Sequence, residues 1–241
     1  MNDLEQDIDL PADGRGRRVL VLVSGGMDST VALFLSKQKG FDVVALEFDN
    51  YTTKVGMTRP APEGRNVEEI CQRAAVPLLR SSFPVATNCA ATAPNIVTIV
   101  ESTMMYCTLA AAFAHALNAQ YLIISFIKDD WFDESDQATD RRPDHYYALN
   151  RLLQTEYGET APRICAPLIY LSKTEVARLG RQLGAPLEIT WSCTRAHDVP
   201  CGVCGQCRLR NQALAALEAS AEGEPPGAAT GATSPPPRPL V

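Results

Sequence analysis

Two short stretches carry residue types that could do chemistry. The first is Ser24-Gly25-Gly26-Met27-Asp28-Ser29-Thr30, which follows the apolar run Val19-Leu20-Val21-Leu22-Val23 and precedes the helical pattern of Val31, Leu33, Phe34 and Leu35. Glycines let a backbone turn sharply and approach a ligand closely. A helix that starts there leaves backbone N–H groups unpaired, and its dipole favours an anion. Ser24, Ser29 and Thr30 add hydroxyl donors, so the geometry suits a phosphate or pyrophosphate, with an ordinary glycine-rich turn as the alternative. The common phosphate loop ends in Gly-Lys-Ser/Thr. Here there is no lysine, and Asp28 sits inside the turn, which makes sense if the acid helps to hold magnesium. The second stretch is Cys193 with Cys201, Cys204 and Cys207, spaced Cys-x7-Cys-x2-Cys-x2-Cys. Four thiolates close a tetrahedral zinc shell, and such a shell is structural. An iron–sulfur cluster uses the same number, unliganded thiols are a third option, and His197 is a competing ligand within the spacing.

These groups need elements to position them. Strand, tight turn and helix at residues 19–35, then a second strand over Phe41–Asp49, imply a crossover and a parallel sheet. In such sheets ligands bind at the carboxyl ends of the strands, where the strand order reverses. Phe48 would then flank an adenine or pack in the core. Residues 50–66 read as a loop, Val67–Ala74 as a helix, Val76–Arg80 as a short strand and Pro94–Asn118 as a long helical region. His115 within that region reads as a surface or satisfied histidine. Tyr121–Phe126 is another strand. It empties into a charged stretch from Lys128, Asp129 and Asp130 to Asp140, Arg141 and Arg142, which is either a substrate loop or a solvated surface. Pro143 opens the next helix, and Ile164–Ile169 reads as an edge strand. Ser172 and Glu175 form a capping box, with Gly184 ending that helix. Lys173 lies in its first turn, where the dipole disfavours a cation; either an anionic partner or solvent faces it.

With 241 residues and 46% hydrophobic content, the chain can bury one good core. A net charge of −6 and a pI near 5.1 argue against a large nucleic-acid surface. No apolar run is long enough to cross a membrane, and residues 1–18 lack an apolar signal core, so a cytoplasmic protein is expected. Cys71, Cys89 and Cys107 are scattered and read as small buried hydrophobes. Residues 1–16 and the Pro-rich tail 221–241 are expected to be disordered. They flank an α/β nucleotide domain over 17–190 and a four-cysteine region with a final helix over 191–220.

The stretch Ser24-Gly25-Gly26-Met27-Asp28-Ser29 resembles the signature of the PP-loop ATP pyrophosphatases, which adenylate a substrate and release pyrophosphate. With Leu109-Ala110-Ala111-Ala112, Asp140-x-Arg142-Pro143, Pro167-Leu168 through Lys173-x-Glu175, Thr190-Trp191-Ser192-Cys193 and Cys201-Gly202-x-Cys204-x2-Cys207-x2-Arg210, the chain resembles the QueC family of deazapurine biosynthesis over most of residues 18–215. The resemblance implies a Rossmann-like parallel sheet of the adenine nucleotide alpha hydrolase type, with a small C-terminal zinc region. It implies ATP, Mg2+ and Zn2+ as cofactors. It also implies activation of 7-carboxy-7-deazaguanine as an acyl adenylate, amide formation with ammonia, and dehydration to the nitrile. Nucleotide contacts are expected from Val23, Ser24, Gly25, Gly26, Met27, Asp28, Ser29, Thr30 and Phe48. Catalytic roles fall to Asp28 and Lys173, substrate contacts to Asp130, Asp140, Arg142 and Trp191, and the metal to Cys193, Cys201, Cys204 and Cys207. A homodimer is implied as well.

Two departures stand out. Val100-Glu101-Ser102-Thr103 replaces the family's Pro-Gly-Arg-Asn turn, and Trp131-Phe132-Asp133-Glu134-Ser135 replaces its Tyr-Ser-Gly-Tyr-Pro. An offshoot that stops at the amide, or that joins the acid to another amine such as a protein N-terminus in antiphage gene clusters, fits equally well. A PP-loop RNA thiolase and a non-catalytic zinc-knuckle module are the remaining classes.

Overall fold

The computed structural model describes residues 8–52, 66–86, 99–100, 102–131, 139–193 and 199–222. Six strands form one parallel sheet: β1 (Arg18–Leu22), β2 (Asp42–Thr52), β3 (Leu78–Ala86), β4 (Ile99–Val100), β5 (Tyr121–Ile123) and β6 (Arg163–Cys165). Their order is β4-β3-β2-β1-β5-β6. Helices α1 (Met27–Gln38), α2 (Val67–Ala74), α3 (Thr103–Ala116), α4 (Pro143–Tyr157), α5 (Lys173–Gln182) and α6 (Gly205–Glu222) complete the fold. This is the α/β architecture with a parallel sheet that the sequence implied.

The central strand shows why the sheet is parallel and covered on both faces. Val19, Leu20 and Val21 are all fully buried. Val19 and Val21 join one core with Val31 of α1 and Val176 of α5. Leu20 joins a second core with Ala110 and Ala114 of α3 and with Leu149 and Leu153 of α4. A strand buried on both faces reads as a continuous apolar run rather than as an alternation. Each such side chain contributes roughly 1.5–3 kcal/mol by leaving water.

Several expectations change. The helical region read from Pro94 begins only at Thr103, because the Ser102 hydroxyl accepts the Met105 N–H and caps the helix. Ile99 and Val100 pair with β3 instead, while residues 94–98 lie outside the described residues. The short strand read at Val76–Arg80 runs on to Ala86, supported by its ladder to β2. β5 ends at Ile123, short of the expected Phe126, and β6 ends at Cys165, short of Ile169.

The expectation of disorder over residues 1–16 does not hold for residues 8–16. Ile8 is fully buried in the second core, its carbonyl accepts the Ala166 N–H at 2.8 Å, and the Gly14 N–H donates to the Lys39 carbonyl. The apolar Ile8 and Leu10 are too few for a periodic pattern, yet they find places beside β6 and α1. Residues 1–7 and 223–241 lie outside the described residues, and α6 extends to Glu222. Ile8→Ala is expected to destabilise the fold by about 2–4 kcal/mol, the cost of an emptied core position. Urea denaturation checks this; a change under about 0.5 kcal/mol, the size of a surface effect, would mean that the segment is not packed.

Candidate functional site

Strands β2, β3 and β4 lie on one side of β1, and β5 and β6 lie on the other. The order therefore reverses between β1 and β5, and a cavity of about 320 Å³ opens there. Its walls come from Leu22 at the end of β1, Ser24 just beyond it, and Ile124, Ser125 and Phe126 after β5. In a parallel sheet each strand's carboxyl end feeds the amino end of the next helix. Here the first turns of four helices reach the cavity: Asp28 and Ser29 of α1, Thr103 of α3, Lys173 of α5 and Gln206 of α6. Converging helix N-termini make such a site attractive to anions.

The loop after β1 is braced from within. Gly25 has a φ of 79°, a left-handed conformation that favours glycine. Hydroxyls close the turn: Ser29 Oγ and Thr30 Oγ1 both donate to the Gly26 carbonyl, and the Ser24 N–H donates to Ser29 Oγ at 3.2 Å. Ser24, Gly26, Asp28 and Ser29 line the cavity. Val23 and Met27 support the loop from the core beneath it, and Thr30 is buried. The Gly25 carbonyl accepts the Trp191 N–H at 2.9 Å, which joins the loop to the segment leading into the cysteine cluster.

Asp28 and Lys173 are 145 residues apart in sequence, and their Oδ2 and Nζ atoms are 2.7 Å apart. The Lys173 side chain is only 6% exposed. The cation in the first turn of α5 therefore does meet an anion, and that anion is a protein carboxylate. Asp129 adds to the arrangement by accepting the Lys173 backbone N–H at 2.7 Å. The expected capping box is present, with Ser172 accepting the Glu175 N–H and Glu175 accepting the Ser172 N–H. Burial pushes the Asp28 carboxyl above its ordinary range, although Lys173 pulls the other way and Asp129 adds to the rise. Asp28 Oδ1 is buried and has no hydrogen-bond partner among the described residues. One oxygen is thus committed to lysine, and the other has no partner among the described residues. Burial also raises Asp130, opposed by the Ile127 N–H that donates to its Oδ2 and reinforced by Asp28.

Asp130 and Trp191 line the cavity as expected, but Asp140, Arg142 and Phe48 are not among its lining residues. The Asp140 carboxylate accepts the Thr103 N–H at 3.0 Å. Burial opposes its ionisation, but the Thr103 hydrogen bonds together with Arg141 and His145 outweigh that and hold its pKa low. It anchors the start of α3. Arg142 is exposed at the N-cap of α4, and its neighbour Arg141 occupies the wall. The Phe48 ring lies 5.8 Å from that of Tyr106 and 6.2 Å from that of Phe113, in the second core. Phe48 thus packs in the core, beside a ring that lines the cavity. Sequence reading missed Tyr106, Phe126, Arg141 and Gln206. Phe126 had a signal, since it follows a strand at its carboxyl end; Gln206 had none.

The Sγ atoms of Cys193, Cys201, Cys204 and Cys207 lie within 4.8 Å of one another. Four sulfurs on one zinc ion stand about 3.8 Å apart, given bonds of about 2.3 Å, so the cluster suits a single ion. The N–H groups of Cys201, Cys204 and Cys207 point at the sulfurs of Cys193, Cys201 and Cys204, each at 3.4 Å. Gly202, with a φ of 72°, permits that turn. His197 lies outside the described residues. Trp191 Nε1 donates to the Cys193 carbonyl, so one tryptophan touches both the cluster and the glycine loop.

A family model described as Queuosine biosynthesis protein QueC matches residues 18–218. The chain is 31% identical to the 7-cyano-7-deazaguanine synthase of Nostoc punctiforme, over 83% of this chain and 96% of that one. The protein of the same name from Nostoc sp. is 34% identical, with 83% and 93% covered. The one from the archaeon Methanothrix thermoacetophila is 29% identical, with 81% and 92% covered.

Lys173→Met strands the Asp28 carboxyl in a buried site. It is expected to cost about 3–5 kcal/mol at neutral pH. Because an acid raised on folding is best tolerated while protonated, the loss should shrink as pH falls toward the ordinary value of 3.8. Adding Asp28→Asn to that variant should restore most of the stability. Denaturation of both variants at two pH values checks the sign, and a double variant no more stable than the single would refute the coupling.

Proposed function

Because the chain belongs to the QueC family, we propose that it is an ATP-dependent ligase that activates the carboxylate of 7-carboxy-7-deazaguanine and passes it to ammonia, ending in the nitrile. The observation that carries the reading is the meeting of four helix N-termini and the Lys173–Asp28 pair around one cavity at the strand switch point. The substrate carboxylate attacks the α-phosphorus of ATP, the bond to the bridging oxygen breaks, and pyrophosphate leaves. Ammonia then attacks the acyl carbon and AMP departs; a second ATP activates the amide oxygen, and loss of that oxygen leaves the nitrile. No side-chain nucleophile is needed. The protein supplies alignment and fixed dipoles where phosphate charge develops.

In this reading the loop from Ser24 to Ser29 cradles the phosphates, and Lys173 sets the position of the Asp28 carboxylate. Asp28 would hold magnesium through the oxygen that lacks a protein partner, and the ion would neutralise the phosphates. Asp130, Tyr106 and Phe126 line the cavity; in this reading Asp130 would accept from an N–H of the base edge, and the two aromatic rings would face its plane. The cysteine cluster is read as a zinc site that holds Trp191 against the loop.

A second reading has a specific observation in its favour. Both segments that depart from the family pattern are used structurally here. Ser102 caps α3, and the Thr103 N–H is taken by Asp140. Trp131 Nε1 donates to the Ile169 carbonyl. Such rebuilding beside the cavity favours an altered acceptor: a product left at the amide, or a conjugate with another amine such as a protein N-terminus.

Mass spectrometry of reactions with 7-carboxy-7-deazaguanine and ATP, with and without ammonium, decides between them. The nitrile is expected under the first reading. An accumulating amide, or an adenylate discharged only by another amine, supports the second. Neither survives if no AMP and pyrophosphate form. Purified protein is also expected to carry one zinc ion per chain by elemental analysis. Cys204→Ser should lose the zinc and weaken nucleotide binding through Trp191; full metal content in that variant would contradict the ligand assignment.

A further inference from the structure

Gln206 stands between Cys204 and Cys207, two cysteines of the cluster, and it lines the cavity. Its main chain is held on both sides. The Cys204 N–H points at Cys201 Sγ and the Cys207 N–H at Cys204 Sγ, each at 3.4 Å, while the Arg208 N–H donates to the Cys204 carbonyl at 3.0 Å. Cys207 is buried against Trp191. The side chain is not spent in the same way. The half-buried Gln206 amide makes no hydrogen bond to another described residue, and neither does the hydroxyl of Ser192, which also lines the cavity.

These neutral groups sit at one end of the cavity. The Trp191 N–H donates to the Gly25 carbonyl at 2.9 Å, and a Cβ on Gly26 would come within 3.4 Å of the Trp191 carbonyl. The segment that leads into the cysteine turn is therefore seated against the glycine loop. The rings suited to a flat base belong to other elements: Tyr106 of α3 lies beside Phe48 of β2, and Phe126 stacks on Tyr146 of α4. The indole N–H of Trp191 is given to the Cys193 carbonyl. An amide on the loop side can donate to a phosphoryl oxygen and fix its direction. A donor held in place before the ligand arrives costs no rearrangement when charge develops there.

We propose that Gln206 is a nucleotide-contacting residue: its side-chain amide donates to an oxygen of the pyrophosphate half of ATP, and the turn between Cys204 and Cys207 sets where that amide stands. The assignment rests on the proposed ligase reading and deepens it. It extends the phosphate cradle from the glycine loop to the cysteine region. A neutral donor aligns the pyrophosphate without the added hold of a cation, which suits a group that must leave.

Isothermal titration with a non-hydrolysable ATP analogue, magnesium pyrophosphate, AMP and 7-carboxy-7-deazaguanine separates the possibilities. Gln206→Ala should weaken the ATP analogue and pyrophosphate alike by about 10-fold, the effect of one hydrogen bond to a charged group. AMP and the acid should stay within about twofold. Gln206→Glu keeps the length of the side chain, loses both N–H donors and adds a like charge, so it should lose more. Val203→Ala should match wild type, because Val203 lies in the same turn but is exposed and is not among the lining residues. The ratio of pyrophosphate to acid affinity reports the contact even if a variant is less stable. Adding Gln206→Ala to Cys204→Ser should cost less than about twofold more, since coupled groups do not add. Unchanged pyrophosphate binding in Gln206→Ala, an equal loss for AMP or for the acid, a matching loss in Val203→Ala, or a fully additive loss in the Cys204→Ser background would overturn the assignment. Wild-type protein that binds the ATP analogue and pyrophosphate but not the acid would overturn the ligase reading instead.

Discussion

A lysine and an aspartate meet where water is nearly excluded, and the geometry of the cavity follows from that contact. Taking both charges out of water is costly, and losing one partner of such a pair typically costs about 3–5 kcal/mol. The pair therefore persists only if α1 and α5 are held in one relative position. They are: Gly180 of α5 lies so close to α1 that an added Cβ would come within 2.7 Å of Val31 Cγ2. Val31, Val176 and Ala177 fill the surrounding core. With the helices fixed, Asp28 keeps one oxygen on Lys173, and the other has no hydrogen-bond partner among the described residues. An arrangement of this kind is uneconomical for stability alone.

The second constraint comes from the far end of the chain. Trp191 gives its backbone N–H to Gly25 and its indole N–H to the Cys193 carbonyl. The thiols gather three N–H groups of their own turn around them. Arg210 of α6 reaches back to the carbonyls of Leu187 and Glu188, ahead of Trp191. The four-cysteine region is thus part of the wall of the cavity at the strand switch point, and Ser192 and Gln206 line it. Order at the cysteines and order at the glycine loop are coupled through one residue.

Much of this was readable from the chain itself. The apolar run into Ser24-Gly25-Gly26, the capping box at Ser172 and Glu175, Pro143 at the start of α4 and the cysteine spacing are all local patterns, written within a few consecutive residues. Each reports a backbone preference that neighbours in sequence already enforce: left-handed φ at Gly25, reciprocal caps at α5, a proline at the first helical position, a ligand-sized loop. Local physics of that kind also showed most of the strands and helices, although not β4, which lies where the sequence reads as helical.

What the tertiary structure alone decided are the pairings between distant residues and the directions of side chains. Nothing in the spacing distinguishes Arg141 from Arg142, yet the first turns into the cavity and the second into solvent, because Asp140 is tied to α3. That Phe48 meets Tyr106 and Phe113 was decided by where α3 lies. Ile8 carried no periodic signal, and it is the carbonyl-to-Ala166 bond and the space beside β6 that hold it. Lys173 was open to an anion or to solvent, and that it meets Asp28 is a fact about two helices packed side by side in one core. The sequence by itself determined which backbone turns and metal-sized loops form, since those energies are summed over neighbours. The packing decided which side chains share the cavity, since that depends on contacts between residues more than a hundred positions apart.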